Sequence, residues 1–145
     1  MAASRRPGRW LAVACGGALG TLARYEVTLA MPTDPRRFAW GILLVNVVGC
    51  LVVGAVTGVL RARPGVPDGV RLFLVVGVCG GLTTFSTWMV TDVLLVRDGA
   101  SATALADVLV SLIAGIFAVW LGFRVVRSAL GEPRDRGPLD VRKAD

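Results

Sequence analysis

The fold is decided by the stretch GVCGGLTTFSTW, residues 77–88, which lies inside a long apolar run from Val70 to Val96. Three glycines and two consecutive threonines disfavour a continuous helix, because glycine costs roughly 1 kcal/mol in a helix interior and β-branched residues lose rotamer freedom there. Non-helical backbone at membrane depth is tolerated only where it is buried in protein or lines a cavity. We therefore predict a helix that is interrupted near the bilayer midplane. The alternative interpretation is a close helix crossing through Gly77 and Gly81.

The composition indicates a membrane protein: 54% of the 145 residues are hydrophobic, 18% are charged, and the mean hydropathy is +0.68. A helix needs about 20 apolar residues to cross a hydrocarbon core of roughly 30 Å. Four windows meet that length: Trp10–Ala30, Phe38–Leu60, Val70–Val96 and Ala102–Val126. The predicted fold is therefore an all-α membrane protein with four transmembrane helices, the third of them broken. Because four helices hardly enclose a pore alone, we expect an oligomer.

The charges divide unevenly between the two ends of the predicted helices. We separate a basic head (residues 1–9), a transmembrane domain (10–126) and a basic tail (127–145), which we predict to be disordered. We interpret the net charge of +6 as the effect of basic residues at helix ends that set the orientation in the membrane, and not as a sign of nucleic-acid binding. Four basic residues lie on one side (Arg24, Arg36, Arg37 and Arg97), and twelve on the other: Arg5, Arg6, Arg9, Arg61, Arg63, Arg71, Arg124, Arg127, Arg134, Arg136, Arg142 and Lys143. This bias predicts a multi-pass protein with both termini in the cytoplasm.

Several functional classes are disfavoured by what the sequence lacks. It contains no histidine, and its three cysteines have no metal-site spacing, so we interpret Cys15, Cys50 and Cys79 as packing residues. It has no ATP-binding loop, no nucleophile constellation and no metal triad. We therefore predict that the protein is not an enzyme.

Polar side chains inside the predicted helices are candidate functional residues, because each must find a partner in lipid. Asn46 either forms an interhelical hydrogen bond or donates its N–H to a passing anion. Asp107 and Ser111 share one face of the last helix, which suggests that this face meets water, an ion or another helix. Arg24 either reaches the interface or lies in the mouth of an anion pathway. Asp92 is expected to be solvated or paired with Arg97.

Three motifs resemble the Fluc (CrcB) family of bacterial fluoride channels. Residues 77–88 are similar to the family run G-x-x-G-G-x-T-T-F-S-T-F and depart from it only at Trp88. Residues 16–25 resemble its G-G-x-x-G-x-x-x-R-Y, and residues 45–50 resemble its V-N-x-x-G-C/S. The motifs occur in order and cover nearly the whole chain except the tail.

The resemblance implies an antiparallel dimer in the bacterial plasma (inner) membrane, with two fluoride pathways and a central sodium ion. The sodium would be held by main-chain carbonyls at the break, here those of Gly80 and Thr83, from both subunits. Hard cations prefer oxygen ligands, and an unwound helix supplies them. The alternatives are a proton-coupled small multidrug exporter, for which the first helix offers only Glu26 near its end, and a non-transporting subunit.

The family pattern also assigns residues to the pathway. Phe85 and, at the departing position, Trp88 would present ring edges to fluoride, since ring edges are electropositive. Asn46 corresponds to the pore amide, Arg24 to the vestibule arginine and Ser111 to the polar track, with a further hydroxyl from Thr84. Ile42, Thr91 and Gly115 depart from common family residues. Because the twelve-to-four charge bias opposes insertion in both orientations, we expect a fixed orientation and a heterodimer with a related chain.

Overall fold

The computed structural model describes residues 7–32, 37–63 and 65–130, which are helical apart from short connections. Five helices follow in order, and the third consists of three consecutive segments: α1 is Pro7–Ala30, α2 is Trp40–Ala62, α3 is Asp68–Arg71, Leu72–Cys79 and Gly80–Leu82, α4 is Ser86–Arg97, and α5 is Ser101–Leu130. The prediction of an all-α fold is confirmed.

Three stretches are long and apolar enough to cross a membrane, namely Trp40–Ala62, Asp68–Arg97 and Ser101–Leu130. The middle one joins α3 and α4 into a single candidate span. α1 has a similar length, but the charged Arg24 and Glu26 near its end lower its hydropathy. The four predicted membrane helices are thus present as helices, and three of them qualify as spans.

The third span is broken at its centre, as the sequence predicts. Leu72–Cys79 is a π-helix and Gly80–Leu82 a single α-helical turn, after which Thr83 becomes extended with φ −75° and ψ 153°. α4 begins only at Ser86. Residues 83–85 therefore separate two half-helices near the middle of Asp68–Arg97.

The alternative interpretation of the glycines, a close helix crossing, is also correct. A Cβ atom at Gly77 would lie 2.8 Å from the Cα of Gly16, and one at Gly81 would lie 2.9 Å from the amide nitrogen of Thr21. Real Cβ contacts are not this short, so only glycine lets α1 and α3 approach at these points. The glycines before the break therefore pack against α1, and the chain unwinds immediately after them.

A second glycine crossing joins α2 to α5. A Cβ at Gly54 would lie 2.9 Å from the Cα of Val119, and one at Gly122 would lie 2.9 Å from the amide nitrogen of Ala55. α4 packs against α5 as well. The break between α3 and α4 is thereby placed beside both α2 and α5, which are the helices that carry Asn46 and Ser111.

The prediction for the tail is wrong at its start. α5 continues as a helix to Leu130, so residues 127–130 are ordered. Apolar residues such as Val125 keep the helical pattern going past the expected end of the span. The rest of the predicted disordered tail, residues 131–145, and most of the basic head, residues 1–6, lie outside the described residues.

Candidate functional site

A cavity of about 560 Å³ lies at the break, between α2, the two half-helices and α5. Most of its wall is apolar, with polar groups concentrated at the break and on α5. Seven of the eight predicted site residues line it, namely Asn46, Gly80, Thr83, Thr84, Phe85, Trp88 and Ser111. The fold therefore brings the predicted pore residues and the predicted sodium ligands to one place.

Asn46 holds the unwound segment through two hydrogen bonds to one residue. Its Nδ2 donates to the carbonyl oxygen of Thr84 at 3.2 Å, and its Oδ1 accepts from the amide of Thr84 at 2.9 Å. The side chain thus replaces the helical partners that Thr84 loses at the break. The interhelical hydrogen bond proposed for Asn46 is confirmed, and an amide nitrogen still has a second N–H to offer the cavity.

Two amides at the break, those of Thr84 and Thr87, donate to side chains and not to the carbonyls that would accept from them in a continuous helix. In a continuous α-helix the amide of Thr84 donates to the carbonyl of Gly80, but here it donates to Asn46. The amide of Thr87 would donate to the carbonyl of Thr83, but here it donates to the hydroxyl of Thr84 at 3.2 Å. The carbonyl oxygens of Gly80 and Thr83 therefore lose their helical donors, and both residues line the cavity.

Gly49 makes room for the break on α2. A Cβ atom at this position would collide with the methyl group of Thr83. The hydroxyl of Thr83 meanwhile donates to the carbonyl of Cys79 at 2.8 Å, which closes the end of α3. The glycine of the V-N-x-x-G motif thus lets Thr83 pack directly against α2, one helical turn from Asn46.

Phe85 and Trp88 form an edge-to-face pair, with ring centroids 5.8 Å apart and ring planes at 81°. Their surroundings differ strongly: Phe85 is 70% exposed in the single chain, whereas Trp88 is 8% exposed and packs against Ala39 and Ile42. The indole Nε1 of Trp88 is buried and has no hydrogen-bond partner among the described residues. Two departures from the family pattern, Trp88 and Ile42, therefore lie in the same buried cluster.

Arg24 is not part of this cavity. It lines a second one of about 300 Å³ together with Tyr25, Thr28, Thr84 and Thr87. Thr84 lines both cavities, so the break lies between the space next to Arg24 and the space next to Phe85 and Ser111. This position is compatible with either of the roles considered for Arg24.

The prediction that Asp92 is solvated or paired with Arg97 is wrong. Asp92 is 7% exposed, and it faces Asp107 of α5, which is 1% exposed. Asp92 lies one helical turn beyond Trp88, and Asp107 lies one turn before Ser111, which donates to it at 3.2 Å. Each aspartate lies four residues from a predicted site residue, Asp92 from Trp88 and Asp107 from Ser111, and therefore on the same helix face. This spacing indicates from sequence that the pair lies beside the site.

A broken membrane helix that lines a cavity with freed carbonyls and hydroxyls is typical of membrane transport proteins. The chain belongs to the CrcB family: residues 11–123 match the family described as CrcB-like protein, Camphor Resistance (CrcB).

Similar relatives carry the name fluoride-specific ion channel FluC. The one from Nitrobacter winogradskyi is 42% identical over 119 residues, which are 81% of this chain and 94% of the relative. The one from Pseudomonas fluorescens is 41% identical over 118 residues, which are 81% and 95% of the two chains. The one from Methylobacterium radiotolerans is 42% identical over 113 residues, which are 76% and 78%. These matches confirm the resemblance drawn from the three motifs.

Proposed function

We propose that this chain is a subunit of a fluoride-selective channel that exports fluoride from the bacterial cytoplasm and so limits its toxicity. The observation that carries the proposal is the convergence of Asn46, Thr84, Phe85, Trp88 and Ser111 on one cavity at the broken span. Fluoride is small and strongly hydrated, so a selective pathway must replace its water shell with donors. A channel of this kind performs no covalent chemistry and is not an enzyme.

The cavity supplies donors of suitable strength without a fixed cation. Asn46 has a second amide N–H, and Phe85 presents an electropositive ring edge. The hydroxyls of Thr84 and Ser111, which donate to Thr87 and Asp107 in this chain, would have to turn towards the cavity to serve as further donors. A full positive charge would hold the anion too tightly for it to leave, whereas neutral donors let it bind and move on. Arg24, in the adjoining cavity, would attract fluoride towards this region without contacting it in the narrowest part.

The experiment that tests the proposal is ion release from liposomes that contain the purified chain. Vesicles loaded with fluoride and chloride would be diluted into a medium free of both, and each ion followed with its own electrode. We expect rapid release of fluoride and retention of chloride. Equal release of both ions, or none of either from vesicles made with co-purified family partners, would overturn the proposal.

We also propose that a sodium ion is held by the carbonyls of Gly80 and Thr83. The donor set fits such an ion, because the amides of Thr84 and Thr87 are directed elsewhere and both Gly80 and Thr83 line the cavity. Bound sodium would supply a positive charge that links two subunits at their breaks. Within this chain, Asn46 and the Thr84 hydroxyl act by keeping those carbonyls available.

Replacing sodium with N-methylglucamine is expected to slow fluoride release and to lower the melting temperature of the detergent-solubilised protein. A ligand present at a hundred times its Kd stabilises the folded state by about 2.7 kcal/mol, so the thermal shift should be measurable. Titrating sodium back should restore both quantities over the same concentration range. A melting temperature that does not respond to sodium would argue against the site.

The proposed assembly is an antiparallel dimer in the inner membrane. In this chain α1, α2, the span formed by α3 and α4, and α5 would all cross the lipid, and both termini would face the cytoplasm. The exposed apolar side chains of α5, among them Ile113, Ile116 and Phe117, are suited to lipid or a second subunit. The twelve-to-four distribution of basic residues favours one orientation. We therefore favour a heterodimer with a related chain of opposite bias over a homodimer.

Expression of the chain alone distinguishes these assemblies. A heterodimer predicts little fluoride release without the partner, and cytoplasmic labelling of tags at both termini. Fast release from vesicles containing only this chain, together with tags accessible from both sides of the membrane, would instead establish a dual-topology homodimer. No nucleic acid is expected to bind in either case.

Changing Trp88 to phenylalanine is expected to raise fluoride release, because it restores the phenyl ring edge of the family pattern at the cavity wall. The indole Nε1 is buried without a partner among the described residues, and such a group costs about 1–3 kcal/mol, so its removal offsets the lost packing against Ile42. Trp120→Phe, on the exposed side of α5, is the matched control and should behave as wild type. If W88F releases fluoride more slowly than wild type and W120F does not, the indole N–H itself contributes to the pathway.

A further inference from the structure

Two carboxyl groups meet inside the helical bundle, and the proposed pathway does not use them. Asp92 on α4 and Asp107 on α5 face each other across two packed helices, and both side chains are more than nine-tenths buried. Both oxygens of Asp92 and Oδ2 of Asp107 are buried and find no donor among the described residues. Only Oδ1 of Asp107 has one, the hydroxyl of Ser111 at 3.2 Å.

Two ionised carboxylates cannot form a hydrogen bond, because each offers only acceptors. Placing both charges side by side in a buried position would combine the cost of removing them from water with mutual repulsion. A single proton removes both problems, since the protonated acid donates to its neighbour and the charge of the pair falls by one. Paired acids that share one proton are a known solution for carboxyl groups in contact.

We infer that Asp92 and Asp107 bind a proton between them, and that this proton limits the negative charge beside the ion cavity. Its effect on fluoride rests on the proposed function, whereas the presence of the proton does not. The site is built by two helices: Asp92 lies one turn beyond Trp88 on α4, and Asp107 lies one turn before Ser111 on α5. Trp88 and Ser111 both line the cavity, so the pair lies directly behind its wall.

Asp107 is the ionisable group that faces Asp92. Among the described residues, the other charged side chains whose surroundings the structure gives are exposed, line the second cavity or lie over an aromatic ring. Arg97 is exposed at the end of α4, and Glu26 is exposed on α1. Arg61 and Arg127 lie over the ring of Phe123, and Arg24 lines the other cavity with Tyr25. Arg124 lies over Trp120 and is about 25 Å along α5 from Asp107.

The sign of the expected pH dependence follows from the charge of the pair. Loss of the shared proton takes the pair from one negative charge to two, and the added charge repels an anion in the neighbouring cavity. Fluoride release should therefore fall severalfold as the pH on both sides of the membrane is raised towards the alkaline range.

Asp92→Asn and Asp107→Asn each fix the pair in its low-pH form, because an amide donates to the remaining carboxylate without needing a proton. Both variants should release fluoride at the rate of the acidic wild type, with no pH dependence.

Infrared spectroscopy of the full-length protein in lipid detects the proton without reference to transport. A buried carboxylic acid shows a C=O stretch distinct from that of a carboxylate, and this band shifts when H₂O is replaced by D₂O. We expect the band in the wild type at neutral pH and in Asp68→Asn, whose aspartate is exposed at the start of α3. The band should be lost in D92N and in D107N.

The two measurements separate failure of the site from failure of the proposed function. Absence of the acid band in the wild type, or its persistence in both D92N and D107N, would overturn the shared proton whatever the protein transports. A band that behaves as expected in a protein that releases no fluoride would support the shared proton and contradict the proposed function instead. If the band behaves as expected but fluoride release by the wild type does not vary with pH, the inferred effect of the pair on the pathway is wrong.

Discussion

Asn46→Leu is expected to abolish fluoride release and to lower the free energy of unfolding by about 2 kcal/mol or more. Leucine has nearly the same size as asparagine but offers no polar atom. The amide and the carbonyl of Thr84 would then both lose their partner at membrane depth, where water is not available to replace it. The half-helices would have to shift to satisfy these groups, and the carbonyls of Gly80 and Thr83 would move with them.

The matched control lies on the same helix. The hydroxyl of Thr57 donates to the carbonyl of Val53 at 2.8 Å, within α2 itself. Thr57→Val removes this bond, but that carbonyl keeps its helical amide donor, so the variant should match the wild type in release and in unfolding temperature. Asn46→Asp provides an intermediate case, because a carboxylate still accepts from the Thr84 amide but no longer donates to its carbonyl. Wild-type release and stability in N46L would show that Asn46 does not hold the break.

The centre of the third span shows why some of this structure could be predicted from sequence. Glycine and threonine disfavour a helix for local reasons, so their clustering in residues 77–88 is informative without any knowledge of neighbours. The break at Thr83 is the result. The same stretch also illustrates a limit, since its sequence is compatible with either a break or a close crossing and does not indicate both. The structure uses Gly77 and Gly81 for the crossing and the following residues for the break.

Contacts between helices were harder to predict, because they depend on which faces meet. The sequence marks Asn46 as a polar residue inside an apolar helix. Its partner, the main chain of Thr84, is 38 residues away and depends on how α2 lies against the break. The surroundings of Asp92 depend on a neighbouring helix in the same way. Its distance from the middle of the span suggested the membrane edge, whereas its burial is decided by α5, which places Asp107 opposite it. Depth along a helix can be counted from sequence, but the neighbour across the helix cannot.

Adding one methyl group to the α1–α3 crossing is expected to have a large effect that depends on position. A Cβ atom at Gly20 would lie 2.8 Å from the amide nitrogen of Leu82, and one at Gly16 would lie 3.0 Å from the Cα of Gly77. Both neighbours are backbone atoms, which cannot move aside as a flexible side chain does. Gly16→Ala and Gly20→Ala should each cost about 1–3 kcal/mol of folding free energy, as overpacking does elsewhere.

Gly17→Ala is the control for this pair, because a Cβ at Gly17 meets nothing within 4 Å. Alanine is favoured over glycine in a helix by about 1 kcal/mol, so G17A should be neutral or stabilising.

The two damaging variants, G16A and G20A, should also differ from each other in fluoride release. Gly20 contacts Leu82, the last helical residue before the break, so G20A displaces Thr83 and its carbonyl directly, whereas G16A acts further from the break. Thermal unfolding and fluoride release of the three variants check this order, and equal behaviour of all three would contradict a glycine-dependent crossing that positions the break.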